Sequence, residues 1–179
     1  MKPALEDSIA PSMQDYADLM NDLKAKGIRL LYYTGYNPEA AVIAKELHDR
    51  GMGVQLVGSD SLNDEEFLAA ADFAADGVMF SAEADSTRFA SALPLIAAFQ
   101  AAGVVPTDYT VRTYAAIRLW ADASAKAGST DAEKVAAVVR SGSWNTVLGI
   151  LSFDAKGDPV RADYTIYIVS SGKIGQLKN

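Results

Sequence analysis

Tyr36 and Asp60 are the two side chains whose types and setting could do chemistry together. An aromatic hydroxyl beside a carboxylate suits a small cation or an ammonium group, held by an ion pair and by contact with the ring. The stretch between them decides whether they meet. Ile28–Tyr33 is a short, mostly apolar run closed off by Gly27 and Gly35, and it predicts a strand covered on both faces. Asn37-Pro38-Glu39 predicts a helix start: Asn37 caps, Pro38 fits the first helical position, and Glu39 suits the positive end of the dipole. Ala40, Ala41, Ile43, Ala44 and Leu47 give that helix an apolar side, and Gly51 ends it. Val54–Val57 is a second strand. Strand, crossover helix and strand make a right-handed βαβ unit, so Tyr36 and Asp60 leave the same sheet edge. Ligands bind beyond the carboxyl ends of strands in open α/β sheets. A purely structural reading also exists, with Tyr36 packed over the edge and Asp60 capping the next turn. Spacing by itself favours that one.

Little else in the chain is reactive. His48 is the only histidine and cysteine is absent, so a thiolate nucleophile, a disulfide and a histidine or cysteine zinc site are excluded. No nucleophile elbow, Walker loop or dinucleotide fingerprint occurs, and no nucleophile has a base beside it, which argues against an enzyme. Asp64-Glu65-Glu66 is a helix N-terminus. No metal and no cofactor is implied. The 179 residues carry a net charge of −7, with 50% apolar and 22% charged residues. That is a globular balance which disfavours nucleic acid and anionic membrane surfaces. No run reaches the length of a membrane span.

The remaining elements follow in order. Ala4–Ile9 is a candidate edge strand between Pro3 and Pro11, and Ser12–Lys26 a helix with Tyr16, Leu19, Met20 and Leu23 on one stripe. Asn63–Glu66 opens a short helix to about Phe73, and Gly77–Ser81 is a third strand. Thr87–Ala102 is a helix that Pro94 must kink or split. Tyr109–Ala127 is the longest helix, apolar around much of its circumference and therefore central and buried. Thr130–Glu133 opens a helix to about Arg140. Ser141–Thr146 is a turn, Leu148–Phe153 a strand, Asp154–Asp158 a hairpin turn, and Tyr164–Val169 the last strand before a short tail. Trp120 and Trp144 are core or interface anchors. The fold class is α/β, a mainly parallel sheet flanked by helices, with a C-terminal antiparallel hairpin.

YYTGYNPEAA followed after one helix by LVGSD resembles the periplasmic binding proteins for leucine, isoleucine and valine, which serve ABC transporters and have the two-lobed type I fold. Four further stretches carry the likeness: SMQDY at Ser12–Tyr16, GVMFS at Gly77–Ser81, DYTVRTYAA at Asp108–Ala116, and GILSFDAKGD at Gly149–Asp158. The resemblance implies ligand-binding roles for three residues. Tyr36 and Asp60 touch the bound amino acid, and Tyr109 lines the pocket for its side chain; plain helix core is the alternative for Tyr109 and fits Tyr114 better. Thr34 stands where the family often has glycine, and Arg112 where it is usually uncharged, so Arg112 faces solvent or forms a salt bridge.

Only the later half of the family is matched. Residues 1–104 correspond to the second lobe, 105–147 to helices of the first, and 148–179 to strands returning near the hinge. The resemblance implies an ABC permease as partner and the periplasm as location, although MKPALEDSIAP lacks the apolar core of a signal peptide. The serine and threonine groups that hold the ligand's carboxylate and ammonium belong to the unmatched half. The expected function is the substrate-binding component, or its ligand-binding lobe, for branched-chain or related amino acids. The alternative is a self-associating fragment without a competent cleft, a homodimer for which exchange of the 109–140 helices is one route.

Overall fold

A computed structural model describes residues 2–13, 15–161 and 163–177. Of the segments predicted above, Gln14 and the terminal Lys178 and Asn179 lie outside them. The chain divides into two units, Met1–Glu83 with Tyr164–Asn179, and Ala84–Asp163.

In the first unit no strand forms at residues 4–9. Pro3 and Pro11 donate no hydrogen bond, no described strand pairs with the segment, and Leu5 and Ile9 instead pack at the margin of the core. Helix α1 is Ala17–Ala25 and starts later than predicted, because Ser12 sits in a turn at φ 65° and gives its N–H to the Glu39 carboxylate at 2.6 Å. The βαβ unit then forms: β1 (Leu30–Tyr33), α2 (Asn37–Asp49) and β2 (Gln55–Gly58), the strands parallel with Leu31 opposite Leu56 and Tyr33 opposite Gly58. The cap of α2 is Tyr36, in extended conformation, so that Asn37 is already helical and Pro38 lies in the first turn. A single 3-10 turn at Asp60–Leu62 leads to α3 (Glu65–Ala71), whose cap Asp64 accepts the Glu66 N–H at 2.7 Å. Strand β3 (Met79–Glu83) lies parallel to β2.

The second unit opens with a 3-10 turn at Ser86–Arg88, then α4 (Leu93–Ala101). Pro94 splits the predicted helix and lies in the first turn of its main piece. Helix α5 (Asp108–Ala127) begins at a capping box in which Thr107 and Thr110 exchange bonds, and stops at Gly128, φ 60°. It is not the buried central helix its composition predicts: Val111, Ala115, Ala123 and Ser124 are buried, whereas Ile117 is exposed and Trp120 is 50% exposed. Within this unit α5 packs against α6 (Ala132–Ser141), against one strand and against the 86–88 turn, which cover one side of the helix. Asp131 caps α6 through the Lys134 N–H. Ser143–Thr146, predicted as a turn, is a strand, β4, paired antiparallel with β5 (Gly149–Ser152). Trp144 anchors it by donating its indole N–H to the Val139 carbonyl at 3.0 Å. The Asp154 carboxylate accepts the N–H groups of Lys156, Gly157 and Asp158, so the predicted turn is real. It closes on one bridge, Phe153 with Pro159, and does not lead into a hairpin with the last long strand.

That strand, β6 (Tyr164–Ser170), belongs to the first unit and runs antiparallel to β3. The C-terminal hairpin is made one step later, across Ser171 and Gly172 to β7 (Lys173–Gln176), where a tail was predicted. The sheet order is β1-β2-β3-β6-β7. One face carries Tyr33, Leu56, Phe80, Ala82 and Val169 into a core with Met20, Leu23, Ile43, Leu47 and Phe67 from the helices. The other face is open at β1: Leu30 is 57% and Tyr32 60% exposed. The expectation that β1 is covered on both faces fails because the helices of this unit all contribute to a single core on one side.

Candidate ligand-binding edge

The carboxyl ends of β1 and β2 bring Tyr36 and Asp60 to one rim of the first unit. Two glycines make the rim possible. A Cβ on Gly35 would lie 2.0 Å from the Tyr33 hydroxyl, and one on Gly58 would lie 2.3 Å from a Leu62 methyl. Glycine is needed at both places for space, since neither has a positive φ. The phenol of Tyr33 fills the hollow under Gly35 and donates to the Tyr36 carbonyl at 3.1 Å. The same carbonyl accepts the first helical N–H of α2, from Ala40. From the neighbouring loop, the Ser61 hydroxyl donates to the Gly35 carbonyl at 2.7 Å, and Ser59 and Ser61 share a hydrogen bond at 3.1 Å. Leu62, fully buried, roots the 3-10 turn that starts at Asp60. The two loops are thus joined, and both side chains of interest stand free of the core: Tyr36 is 71% exposed and Asp60 is exposed.

Beneath the rim the Tyr33 phenol is held neutral. Tyr33 is 8% exposed, and burial, with the negative charge of Glu39 and the neighbouring Tyr16, pushes its phenol up to about 12. It is a hydrogen-bond donor throughout the physiological range. Burial and the Glu39 charge raise Tyr16 as well.

Tyr109 lies in the second unit, in the first turn of α5, and is 71% exposed. Plain helix core, the alternative for this residue, is excluded by that exposure, and Tyr114 is itself partly exposed. Beside Tyr109, Asp108 takes the N–H of fully buried Ser86 at 2.7 Å and its hydroxyl at 2.5 Å, together with the Arg112 guanidinium at 2.6 Å. Burial opposes the charge on Asp108, but the Arg112 and Ser86 bonds prevail and hold its carboxyl below the ordinary value. Arg112 reaches on to the Ala84 carbonyl at 2.7 Å. It ties the start of α5 to the segment entering this unit and does not simply face solvent. A cavity of about 340 Å³ between α5 and the β4–β5 ribbon is lined by Tyr114, Arg118, Asp122 and Trp144; there Arg118 and Asp122 pair with each other at 3.7 Å.

Sequence reasoning missed Tyr33, Ser61 and Asp108 as positioning groups. Asp108 had a signal, an acid in the first turn of a helix next to a candidate residue. Ser61 had only its place in Ser59-Asp60-Ser61. Among the described residues no cluster of acids or histidine is placed to hold a metal ion, and no helix is long and apolar enough to cross a membrane.

The α/β sheet of the first unit thus presents the Tyr36 ring and the Asp60 carboxylate beyond the carboxyl ends of two adjacent parallel strands. Residues 4–173 match the family model described as periplasmic binding protein, and the chain belongs to that family, whose members are solute-binding proteins and not enzymes. It is 34% identical over 176 residues to Leu/Ile/Val-binding protein homolog 1 of Brucella abortus (strain 2308), a match that covers 98% of this chain and 47% of the relative. The fold is the type I periplasmic binding fold. The leucine binding protein LivK of Thermotoga maritima superposes with a TM-score of 0.80 at 22% identity, covering 95% of this chain and 49% of that one. The branched-chain amino acid transporter substrate binding protein LivJ of Streptococcus pneumoniae, solved with isoleucine, gives 0.72 at 22% identity, covering 96% and 51%. The chain spans about half the length of the curated relatives it matches.

Proposed function

We propose that this chain supplies the later-half ligand contacts of a substrate-binding component of an ABC transporter for branched-chain or related amino acids. Tyr36 contacts the ligand through ring and hydroxyl, Asp60 pairs with its ammonium, and Tyr109 borders its side chain. The observation that supports the reading is the Ser61–Gly35 bond, which joins the loop before exposed Tyr36 to the turn that begins at exposed Asp60. An exposed carboxylate at a strand end suits an ammonium group, because charge-assisted bonds are the strong ones. The names of the relatives and the isoleucine in the pneumococcal protein support the ligand class. An ABC permease is the proposed partner and the periplasm the proposed location. Calorimetric titration of the purified chain with leucine, isoleucine, valine and several polar amino acids tests the reading. Micromolar or tighter binding of the aliphatic ligands is expected, and absence of heat with all of them overturns it for this chain.

A second reading has its own observation. Leu30 and Tyr32 on the first unit, and Ile117 and Trp120 on the second, are large apolar side chains in solvent. A self-associating fragment without a competent cleft, such as a homodimer that exchanges the 109–140 helices, would cover such surface. Its mark is a dimeric solution mass with no amino-acid response.

A further inference from the structure

Resting on the binding reading above, we propose that Tyr33 and Ser61 are positioning residues for ligand capture. They clamp the two peptides that flank the Tyr36 Cα, so that Tyr36 is held on the same rim as Asp60. Neither touches the proposed ligand. Tyr33 rises from the closed face of β1, passes under Gly35 where no Cβ can fit, and ends on the Tyr36 carbonyl. Ser61, one residue beyond Asp60, ends on the adjacent Gly35 carbonyl. Consecutive carbonyls are therefore held by hydroxyls from different directions, one from the core and one from the loop that carries the carboxylate.

Three features make this more than an ordinary turn. The Tyr36 carbonyl is also the acceptor for the first bond of α2, so its peptide plane is fixed by two donors. The Tyr33 hydroxyl is buried and stays protonated, with burial and Glu39 both opposing ionisation. Ser61 belongs to the same 3-10 turn as Asp60, so displacement of one loop is felt by the other. A loop left free to move must be ordered when ligand arrives, and that ordering cost weakens binding; a backbone already held in place avoids it.

The test uses Tyr33→Phe and Ser61→Ala in the full chain, each alone and combined with Tyr36→Ala. Each removes one hydroxyl and little volume. Isoleucine affinity is expected to fall about five- to tenfold in either single variant, the equivalent of one hydrogen bond. In the Tyr36→Ala background the further loss should vanish, since the clamp acts only through Tyr36. An equal loss in both backgrounds, or unchanged affinity in the single variants, overturns the proposal. Amide hydrogen exchange at residues 35–37 reads the clamp without ligand. Exchange faster by about tenfold in the variants, with α5 unchanged, is expected, and unaltered exchange overturns the clamp. If the unaltered chain binds no amino acid, the binding reading fails and capture with it, while the exchange data alone decide whether the clamp exists.

Discussion

Ser86 and Asp108 are joined by two hydrogen bonds to a single carboxylate oxygen, one from the Ser86 N–H and one from its hydroxyl, while the other oxygen holds Arg112. Ser86 is fully buried, so these donors have no water to fall back on. The pair fixes the start of α5, and with it Tyr109, to the segment that enters the second unit. Replacing Asp108 with alanine strands buried donors and a guanidinium, and should cost about 2–3 kcal/mol. Urea unfolding midpoints of wild type and Asp108→Ala measure this directly.

The same carboxylate predicts an acid window. Its folded value lies below the ordinary value of 3.8, so the contribution is present above that value and is lost as pH falls below it through the folded value. The stability gap between wild type and Asp108→Asn should be constant at neutral pH and shrink below about pH 4. A gap that widens in acid would contradict the assignment.

Tyr33 gives the opposite sign. Its phenol is raised from 10.0 to about 12, so the fold favours the neutral form. The stabilisation is complete below pH 10 and disappears as pH rises towards 12, an effect of order 2 kcal/mol at most. Ultraviolet titration should show one phenol ionising near pH 12 that is missing from Tyr33→Phe. The unfolding midpoint of the variant should also fall less steeply in alkali.

The βαβ unit was legible because each part has a local cause: an apolar run, a proline in a first helical turn, a glycine stop. The rim was legible for the same reason, since topology alone sends Tyr36 and Asp60 to one edge. What covers a strand is not local. Leu30 and Tyr32 have the composition of buried residues, yet each is more than half exposed. Strand β4 was hidden because Ser-Gly-Ser-Trp-Asn-Thr has turn composition, and pairing with β5 overrides that propensity. The role proposed for Tyr109 rests on resemblance, because an aromatic at a helix start looks the same whether it packs or points outward. The Ser61–Gly35 and Ser86–Asp108 bonds span 26 and 22 positions, and serine carries no pattern that would announce such a partner.

Asp60 and Tyr109 separate binding from folding. Asp60 is exposed and its carboxylate carries none of the hydrogen bonds that hold the rim together, so Asp60→Ala should leave stability within about 0.5 kcal/mol of wild type. Loss of the proposed ammonium partner should weaken amino-acid binding by about ten- to a hundredfold. Tyr109→Ala should likewise fold normally, but on the proposed reading lose discrimination between isoleucine and alanine, since Tyr109 is proposed to border the ligand's side chain. Thermal melts and calorimetry on the same samples check both, and a large fall in melting temperature for either would assign it to the scaffold instead.

Gly35 and Tyr33 form a steric pair that can be tested without ligand. Gly35 has no positive φ, so its need for glycine is not conformational. It follows from the phenol, whose oxygen and ring carbon would lie 2.0 and 2.4 Å from an added Cβ. Gly35→Ala alone should destabilise by about 1–3 kcal/mol through overpacking. Tyr33→Phe cannot relieve it, because the ring carbon remains. Tyr33→Ala removes the obstacle at the cost of a cavity, so the double variant should be less destabilised than the sum of the single changes, by about 1 kcal/mol or more. Strict additivity would mean that the Gly35 backbone, and not the space beside it, sets the requirement; a positive coupling places the origin of the Tyr36 geometry in the phenol beneath it.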